Sequence, residues 1–410
     1  MMNSMNRRGF LARAGLSSAV VTLSHMTPSF LQAAAAERRS ERILVVLEMA
    51  GGNDGLNTVI PWKHDVYRSS RPKLAIPDSK VLPVDRELGF HPALQGFADL
   101  LEAGKLAVVQ GVGYDNPNRS HFESMDIWHT CQRKEESRTD GWLGRAMEST
   151  GGGQGGDPAG LHLGGDKQPF ALMSRTLRVP SIRSLDQFKL KGGTDEDFVR
   201  RVRVLAGEVR DGGDDLLGFV QQSTSAAIDA SQRLEATGKT YQPSLPYPDT
   251  DLGQKLKSVA QLITSGLSTG VYYVQIDGFD THAQQSEAHA GLLRQTGDAV
   301  YAFTTDLASH GLGDRVLTMC FSEFGRRVAE NASEGTDHGT AGPMFLAGGQ
   351  VKPGFVGRHP DLTRLQDGDL PHHTDFRQVY ATVLERWLEC PSESVLKGKF
   401  QPVDAIVQAG

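Results

Sequence analysis

Short runs of almost wholly apolar residues, separated by helical patterns, constrain this fold more than any other feature of the chain. None of the runs alternates apolar and polar residues, so each predicts a strand that is buried on both faces. Strands of this kind separated by helices are typical of a mostly parallel sheet. The sequence therefore predicts an α/β fold, a three-layer sandwich with helices on both faces of the central sheet. The predicted strands are Arg42–Met49, Lys105–Gly111, Gly270–Ile276, Arg315–Phe321 and Met344–Ala347.

Helical patterns fill most of the segments between these runs. The stretch from about residue 150 to residue 248 differs, because it begins Gly-rich, continues as a polar segment and ends in the Pro-rich YQPSLPYP. We interpret it as a helical or loop insertion that caps the sheet, within one domain spanning residues 37–410. The predicted helices are Leu94–Ala103, Ser120–Thr130, Thr194–Thr237, Gln284–Leu307 and Asp375–Leu388.

The first 36 residues have the three parts of a cleavable export signal. Arg7 and Arg8 precede Phe10 and Leu11, a short apolar stretch follows, and a run of alanines ends at Ala36. This order predicts a signal peptide of the twin-arginine type, with the twin-arginine translocase as partner and a periplasmic or secreted destination. A basic disordered arm, the alternative, would not need the four alanines. The apolar part is shorter than the ~20 residues that span a bilayer, and no later segment qualifies, so we expect no transmembrane segment.

The charge balance and the cysteine spacing argue against a nucleic-acid-binding protein and against a zinc-thiolate site. The chain has 43 Lys and Arg against 49 Asp and Glu with no basic block, which argues against a nucleic acid partner. Cys131, Cys320 and Cys390 lack the spacing of a zinc-thiolate site. We expect them to be buried apolar thiols.

Side chains that can bind metals cluster where the predicted strands end. Ligands of open parallel sheets bind beyond the carboxyl ends of the strands, so these groups should meet at one edge. Carboxylates and imidazoles are ligands of zinc, manganese and calcium, and we expect one or two divalent ions. The candidate metal ligands are Asp54, Asp280 (or Asp277), His282, Glu323, Asp337 and His338.

Ser120 is the candidate nucleophile. It precedes a predicted helix, where amide N–H groups favour an anion. A serine activated by a metal ion can attack a phosphate or sulfate ester. His121 is the second catalytic candidate, and it, Asn57 or Arg119 could orient the ester.

Most of these residues also have a structural interpretation. The Asn-Asp-Gly sequence around Asp54 is strong turn chemistry. Ser120 with Glu123 forms the pattern of a helix capping box. Glu323 could pair with Arg326 or Arg327 at helical spacing. The succession of these groups at several strand ends is what favours a functional site.

Seven motifs in order make the chain resemble the bacterial domain-of-unknown-function family 1501, which is grouped with the alkaline-phosphatase-like and sulfatase superfamily. The motifs are LEMAGGNDGLNTVIP, NRSHFESMDIW, DGWLGR, GFDTHAQQ, FSEFGRR, ENASEGTDHGTAGPMFLAGG and TDFRQVYATVLERWL. The resemblance implies one or two divalent metals and a Ser, Thr or formylglycine nucleophile. Asp54 then matches the first acidic ligand, Ser120 the nucleophile and His338 the later histidine. A Cys-x-Pro-x-Arg signature is missing near Ser120, so formylglycine is not expected.

Two positions depart from the superfamily pattern. Asp280 and His282 are spaced more closely than the usual pair, and Asp277 could substitute for Asp280. Phe324 stands where many members have a histidine, which removes an imidazole from the second metal site. The leading hypothesis is a metal-dependent hydrolase acting on a small-molecule or glycan ester. The alternative is a catalytically degenerate member that binds a glycan, lipid or protein in the periplasm.

Overall fold

The structure is a computed structural model that describes residues 42–152, 157–165, 167–185 and 241–407. The predicted signal peptide and the whole of the predicted polar helix, Thr194–Thr237, lie outside these ranges. The strands are β1 (Ile43–Met49), β2 (Val59–Ile60), β3 (Leu82–Pro83), β4 (Gly89–Phe90), β5 (Leu106–Gly113), β6 (Gly160–Leu163), β7 (Ser181–Ile182), β8 (Val271–Ile276), β9 (Val316–Phe321), β10 (Gly342–Gly348), β11 (Gly354–Val356) and β12 (Thr374–Asp375).

Helices lie between most of these strands. They are α1 (Gly55–Thr58), α2 (Asp65–Ser70), α3 (Gln95–Glu102), α4 (His121–Thr130), α5 (Trp142–Ser149), α6 (Asp251–Thr264), α7 (Gln285–Ser309), α8 (Phe376–Thr382) and α9 (Ser392–Leu396). Short 3₁₀ turns lie at Asp78–Lys80, Phe170–Leu172 and Gly313–Arg315, and a π-helical turn lies at Val383–Trp387.

The central sheet has the strand order β11-β5-β10-β9-β1-β8-β6-β7, and β12 also pairs with β5. Every neighbouring pair is parallel except the two that involve β10, which is antiparallel to both β5 and β9. The sheet is therefore mostly parallel, as predicted, with one reversed strand. A separate small sheet joins β2, β4 and β3 in antiparallel pairs.

The central strand β1 shows why apolar runs predict a three-layer fold. All seven of its residues are buried, and successive side chains point to opposite faces of the sheet. Val45 packs in a core shared with α3, α6 and α7, whereas Val46 packs in a second core shared with α4, α5, α8 and α9. Helices therefore cover both faces, which confirms the predicted sandwich.

Part of the predicted insertion belongs to the sheet itself. β6 pairs with β8, and β7 pairs with β6, so residues 157–185 extend the sheet at one edge rather than capping it. The segment after the Pro-rich stretch forms α6, a helix that the sequence analysis did not assign.

The reversed direction of β10 positions the site. Residues that follow β1, β8 and β9 lie beyond the carboxyl ends of parallel strands. Because β10 runs the opposite way, the residues that precede it lie at this same edge. Asp337 and His338 are thereby brought to the strand-end loops.

The three cysteines are buried and free, as expected for apolar thiols. Among the described residues, no helix is both long enough and apolar enough to cross a membrane.

Candidate functional site

Three imidazoles converge on one carboxylate oxygen at this edge of the sheet. The Nε2 atoms of His282 and His338 each lie 3.0 Å from Oδ1 of Asp280. The Nε2 atom of His121 lies 3.4 Å from the same oxygen. These four residues, His121, Asp280, His282 and His338, are called the His–Asp cluster below.

The other ring nitrogen of each histidine faces an oxygen acceptor. Nδ1 of His121 is 2.8 Å from Oε1 of Glu323, and Nδ1 of His338 is 2.7 Å from the carbonyl oxygen of Arg119. Nδ1 of His282 is 3.4 Å from Oδ1 of Asp337. A carbonyl or a carboxylate can only accept, so the proton of each neutral imidazole belongs on Nδ1. Each Nε2 then presents a lone pair to the centre of the cluster.

A bound cation would satisfy this arrangement of lone pairs. Nε2 of His282 lies only 2.9 Å from Nε2 of His338, and two acceptors cannot bond to each other. Nε2 of His121 is buried and has no hydrogen-bond partner in the described structure. Ligand atoms ~2.0–2.1 Å from a tetrahedral zinc ion would lie roughly 3.3 Å apart. Ligand atoms of His121, Asp280 and His338 all lie within 4.8 Å of one another, and His282 is not a member of that group. The residues present therefore fit a divalent metal ion.

Glu323 holds His121 in place from behind. Its carboxylate is buried and accepts from the amides of Gly51 at 2.9 Å and Gly52 at 3.2 Å. Both glycines have positive φ, which lets the turn after β1 direct two successive amides at one carboxylate. The hydrogen bond to Glu323 raises the pKa of His121 above its ordinary value of 6.5. A carboxylate behind a histidine is the usual support of a metal-binding imidazole.

Arg326 is the buried counter-charge of Asp280. Its Nη2 lies 2.8 Å from Oδ1 of Asp280, and its other donors bond to carbonyl groups, including those of Gly52 and Thr336. Burial alone would raise the pKa of Asp280, but the hydrogen bond and the positive charge of Arg326 help lower it to about 2. Asp280 is therefore ionised at neutral pH.

Asp54 lies apart from the His–Asp cluster. Its carboxylate is fully buried, and Oδ2 lies 2.6 Å from Nη1 of Arg71 and also accepts from Gln285. Oδ1 accepts from the amide of Asn57 at 3.4 Å. Burial alone would raise the pKa of Asp54, but the Arg71 guanidinium outweighs it and the pKa is below the ordinary 3.8. Asp54 thus neutralises Arg71 and caps α1, and the structure does not bring it together with the other predicted ligands.

The remaining predicted ligands also divide into members of the His–Asp cluster and residues outside it. Asp280 belongs to the cluster, whereas the exposed Asp277 accepts from the amide of its neighbour Gly278 at 2.7 Å. Glu323 and Asp337 lie behind the imidazoles of His121 and His282 rather than among the four converging atoms. The predicted helical pairing of Glu323 with Arg326 or Arg327 does not form, because residues 322–327 are not helical.

Ser120 occupies the predicted helix start, but without the predicted capping box. It is the N-cap of α4, yet its side chain accepts no capping hydrogen bond, and Glu123 pairs with Arg138 instead. Its hydroxyl is exposed, and its two chain neighbours Arg119 and His121 both contact the site. Asn57 is buried and bonded to Leu74 and Arg71, so it is committed to the fold.

Sequence reasoning missed two features of the site. His121 was expected to act on the ester, yet its Nε2 faces Asp280 like a ligand atom. Arg326 was considered only as a partner of Glu323, because nothing in the letters of a sequence separates a buried arginine from an exposed one. The available signal was its position in the loop after an apolar strand.

One comparison with known proteins identifies a family but names no activity. Residues 41–395 match the model of the family described as "Protein of unknown function (DUF1501)". No match to a curated protein was found.

Solved structures resemble the chain only distantly. A phosphonate monoester hydrolase from Silicibacter pomeroyi is 10% identical, with a TM-score of 0.41 over 88% of this chain and 75% of that one. The PsFucS1 sulfatase from Pseudoalteromonas sp. is 9% identical, with a TM-score of 0.39 over 92% of this chain and 73% of that one. A protein in the alkaline phosphatase superfamily from Vibrio parahaemolyticus is 8% identical, with a TM-score of 0.38 over 88% and 69%. At such identities the chemistry has to be judged from this chain's own residues.

Proposed function

Because this chain belongs to the DUF1501 family, whose function is unknown, its activity has to be inferred from its own site, and we propose that it is an exported, metal-dependent hydrolase of a phosphate or sulfate ester. The observation that carries the proposal is the convergence of three imidazole Nε2 atoms on Oδ1 of Asp280. A serine with an uncommitted hydroxyl lies beside that centre.

The His–Asp cluster would hold the metal. Asp280 supplies a charged oxygen, and His121 and His338 supply ring nitrogens within 4.8 Å of it and of each other. Nε2 of His282 lies 3.0 Å from the same oxygen and would be a further ligand. When bound, a divalent ion at this position would stabilise negative charge on the ester oxygens. We propose one ion rather than two, because Asp54 is already neutralised by Arg71 and Phe324 packs against the rings of His121 and His338.

Ser120 is the proposed nucleophile. Its oxygen would form a bond to the phosphorus or sulfur atom as the bond from that atom to the alcohol oxygen breaks, and the serine proton would leave with the alcohol. Water would then release phosphate or sulfate and restore the Ser120 hydroxyl. The first amide groups of α4 have no partner within the helix and favour an anion at the same end. His338 bonds to the carbonyl of Arg119, which holds the segment before Ser120 against the His–Asp cluster.

A pair of variants separates catalysis from helix capping. With zinc, manganese or calcium supplied, the protein should hydrolyse 4-nitrophenyl phosphate, bis(4-nitrophenyl) phosphate or 4-nitrophenyl sulfate. Ser120→Ala should lower turnover by on the order of 10³, as for loss of an essential nucleophile, with little loss of stability. Thr250 is the matched control, because its side chain does cap α6 by accepting from Gly253 at 3.1 Å. Thr250→Ala should cost about 1 kcal/mol of stability and leave turnover unchanged.

The opposite outcomes favour the alternative function. A Ser120→Ala variant as active as the parent would exclude Ser120 as the nucleophile. If the parent protein hydrolyses none of the esters with any of the three metals, the site is better explained as a binding site for a glycan, lipid or protein.

Export is the second part of the proposal and rests on residues 1–36, which lie outside the described residues. Replacing Arg7 and Arg8 together by lysine should leave uncleaved precursor in the cytoplasm, since the twin-arginine route reads the pair. Immunoblotting of cell fractions measures both cleavage and export. Normal cleavage and export of this double variant would show that the signal is of another type.

A further inference from the structure

Two arginines at the rim of the site share one buried carboxylate. The side chain of Asp369 is 1% exposed, and its Oδ2 accepts a hydrogen bond from Nη2 of Arg119. Nε of Arg327 lies 3.7 Å from the other oxygen, Oδ1. One negative charge thus faces two positive charges, and the group keeps a net charge of about +1.

Most of the donors of these two arginines are unused. Among the described residues, the Arg327 guanidinium donates no hydrogen bond, and Arg119 donates only to Asp369. Both side chains are 39% exposed, so their free N–H groups are accessible to solvent. Arg71 and Arg326, in contrast, are fully buried and bonded to several protein oxygens each. The exposed pair is therefore not required to satisfy the protein interior.

Both arginines are one residue away from groups of the site. Arg119 immediately precedes Ser120, and its carbonyl accepts from Nδ1 of His338. The amide of Arg327 donates to the carbonyl of Asp337 at 3.0 Å, and Arg327 follows the buried Arg326. An anionic molecule that is bound at the His–Asp cluster and extends toward Asp369 would meet these two guanidinium groups.

We propose that Arg119 and Arg327, positioned by Asp369, form a subsite for a second anionic group on the substrate. This inference rests on the proposed function and narrows its substrate class to esters that carry another phosphate, sulfate or carboxylate near the reacting group. Guanidinium groups suit this task because their planar N–H donors match the oxygens of such anions. Asp369 acts as a positioning residue, since it touches the arginines and not the substrate.

Binding of two matched sugars tests the subsite without relying on turnover. In a Ser120→Ala background loaded with zinc, glucose 6-phosphate and glucose 1,6-bisphosphate are titrated by calorimetry at one ionic strength. The bisphosphate should bind on the order of tenfold more tightly, as expected for added charge-assisted hydrogen bonds. Arg327→Gln should remove most of that difference and leave affinity for the monophosphate within about twofold. This variant keeps the Arg119–Asp369 pair, so it should fold.

Arg68→Gln is the matched control. Arg68 is 41% exposed and, like Arg119, pairs with an aspartate, but its partner is Asp78. The control should keep the full preference for the bisphosphate. No preference in the parent, or a preference that survives Arg327→Gln, would overturn the subsite while leaving the proposed function standing. Failure of the variant to bind the monophosphate, together with failure of the parent protein to hydrolyse any of the three aryl esters, would contradict the proposed function itself.

Discussion

A single carboxylate determines which nitrogen of His121 faces the site. Glu323 accepts from Nδ1, so the lone pair of Nε2 is directed at Asp280. The sequence placed Glu323 near the strand ends, but its partners come from a distant turn and a distant helix. Residue chemistry and strand-end position can therefore be predicted, whereas the division into direct ligands and supporting groups depends on three-dimensional contacts.

Glu323→Gln should weaken metal binding. The amide would present N–H groups toward the Gly51 and Gly52 amides, so it could not support His121 in the same way. We expect zinc affinity to fall by roughly 10- to 100-fold, the usual effect of losing such a support. Competition for zinc with a chromophoric chelator measures this change in affinity.

Glu330→Gln is a matched control for this variant. Glu330 also accepts from two backbone amides, those of Lys73 and Leu74, but it has no hydrogen bond or ion pair with a histidine among the described residues. Its replacement should leave zinc affinity unchanged. Equal effects of the two substitutions would show that Glu323 does not act through His121.

A second prediction concerns the contribution of Asp54 to stability and its dependence on pH. Its pKa is lowered in the folded state, so it stabilises the fold above the ordinary pKa of 3.8, and this contribution is lost as the pH falls through the folded value. Asp54→Asn leaves the buried Arg71 without its counter-charge and should cost about 3–5 kcal/mol at pH 7. The difference from the parent protein should shrink as the pH is lowered below 4.

Urea unfolding at a series of pH values measures this difference. The exposed Asp78, which pairs with Arg68, is the control, and Asp78→Asn should change stability little. A loss of stability in Asp54→Asn that does not depend on pH would mean that the Asp54 charge is not the cause.

Among the elements, the five predicted strands are confirmed, whereas four further strands of the central sheet (β6, β7, β11 and β12) and the direction of β10 were not predicted. The apolar runs gave each of the five predicted strands to within a few residues, because burial on both faces excludes polar positions. An apolar run reads the same in either direction, so the reversal of β10 was not visible in the pattern. That reversal is what brings His338 to the carboxyl edge of the other strands.

The longest helix that was not predicted, α6, has a helical pattern in the sequence. Leu252, Leu256, Val259 and Ile263 recur at helical spacing in α6 and are all buried. The capping-box prediction at Ser120 was wrong for a different reason. The sequence has the pattern of a capping box, but in the structure Glu123 forms an ion pair with Arg138 instead.

The turn after β1 makes a prediction at the scale of elements. A Cβ on Gly51 would lie 2.4 Å from the backbone nitrogen of Asp280, and Gly51 has φ +115. Gly51→Ala should force the turn and the loop of Asp280 apart, which separates Glu323 and Asp280 from their partners. We expect a loss of about 1–3 kcal/mol in stability together with loss of zinc binding.

Gly311→Ala separates backbone strain from damage to the site. Gly311 has φ +73, but a Cβ there would meet no atom within 4 Å. This control should lose stability and still bind zinc, as measured by urea unfolding and by metal analysis. Full zinc binding in Gly51→Ala would show that the contact between the two loops does not position Asp280.

At the scale of the whole molecule, the sheet and its two cores form the frame, and several loops supply the chemistry. β1 lies between β8 and β9, and the loops after these three strands contribute Gly51, Asp280 and Glu323. Sequence order alone indicated this edge, because the candidate residues follow successive apolar runs. The choice of Asp280 over Asp54 as a cluster member required the position of Arg71, which is 17 residues along the chain from Asp54.

The most direct test of this account is the zinc content of protein that has been stripped with a chelator, reloaded and freed of unbound metal. The parent protein should retain about one zinc per chain, the content of a single His–Asp site. A double variant, Asp280→Asn with His338→Ala, should retain almost none, whereas Asp54→Asn should still retain about one. Equal zinc in the parent and the double variant, or zinc lost only in Asp54→Asn, would contradict the assignment of the His–Asp cluster as the metal site.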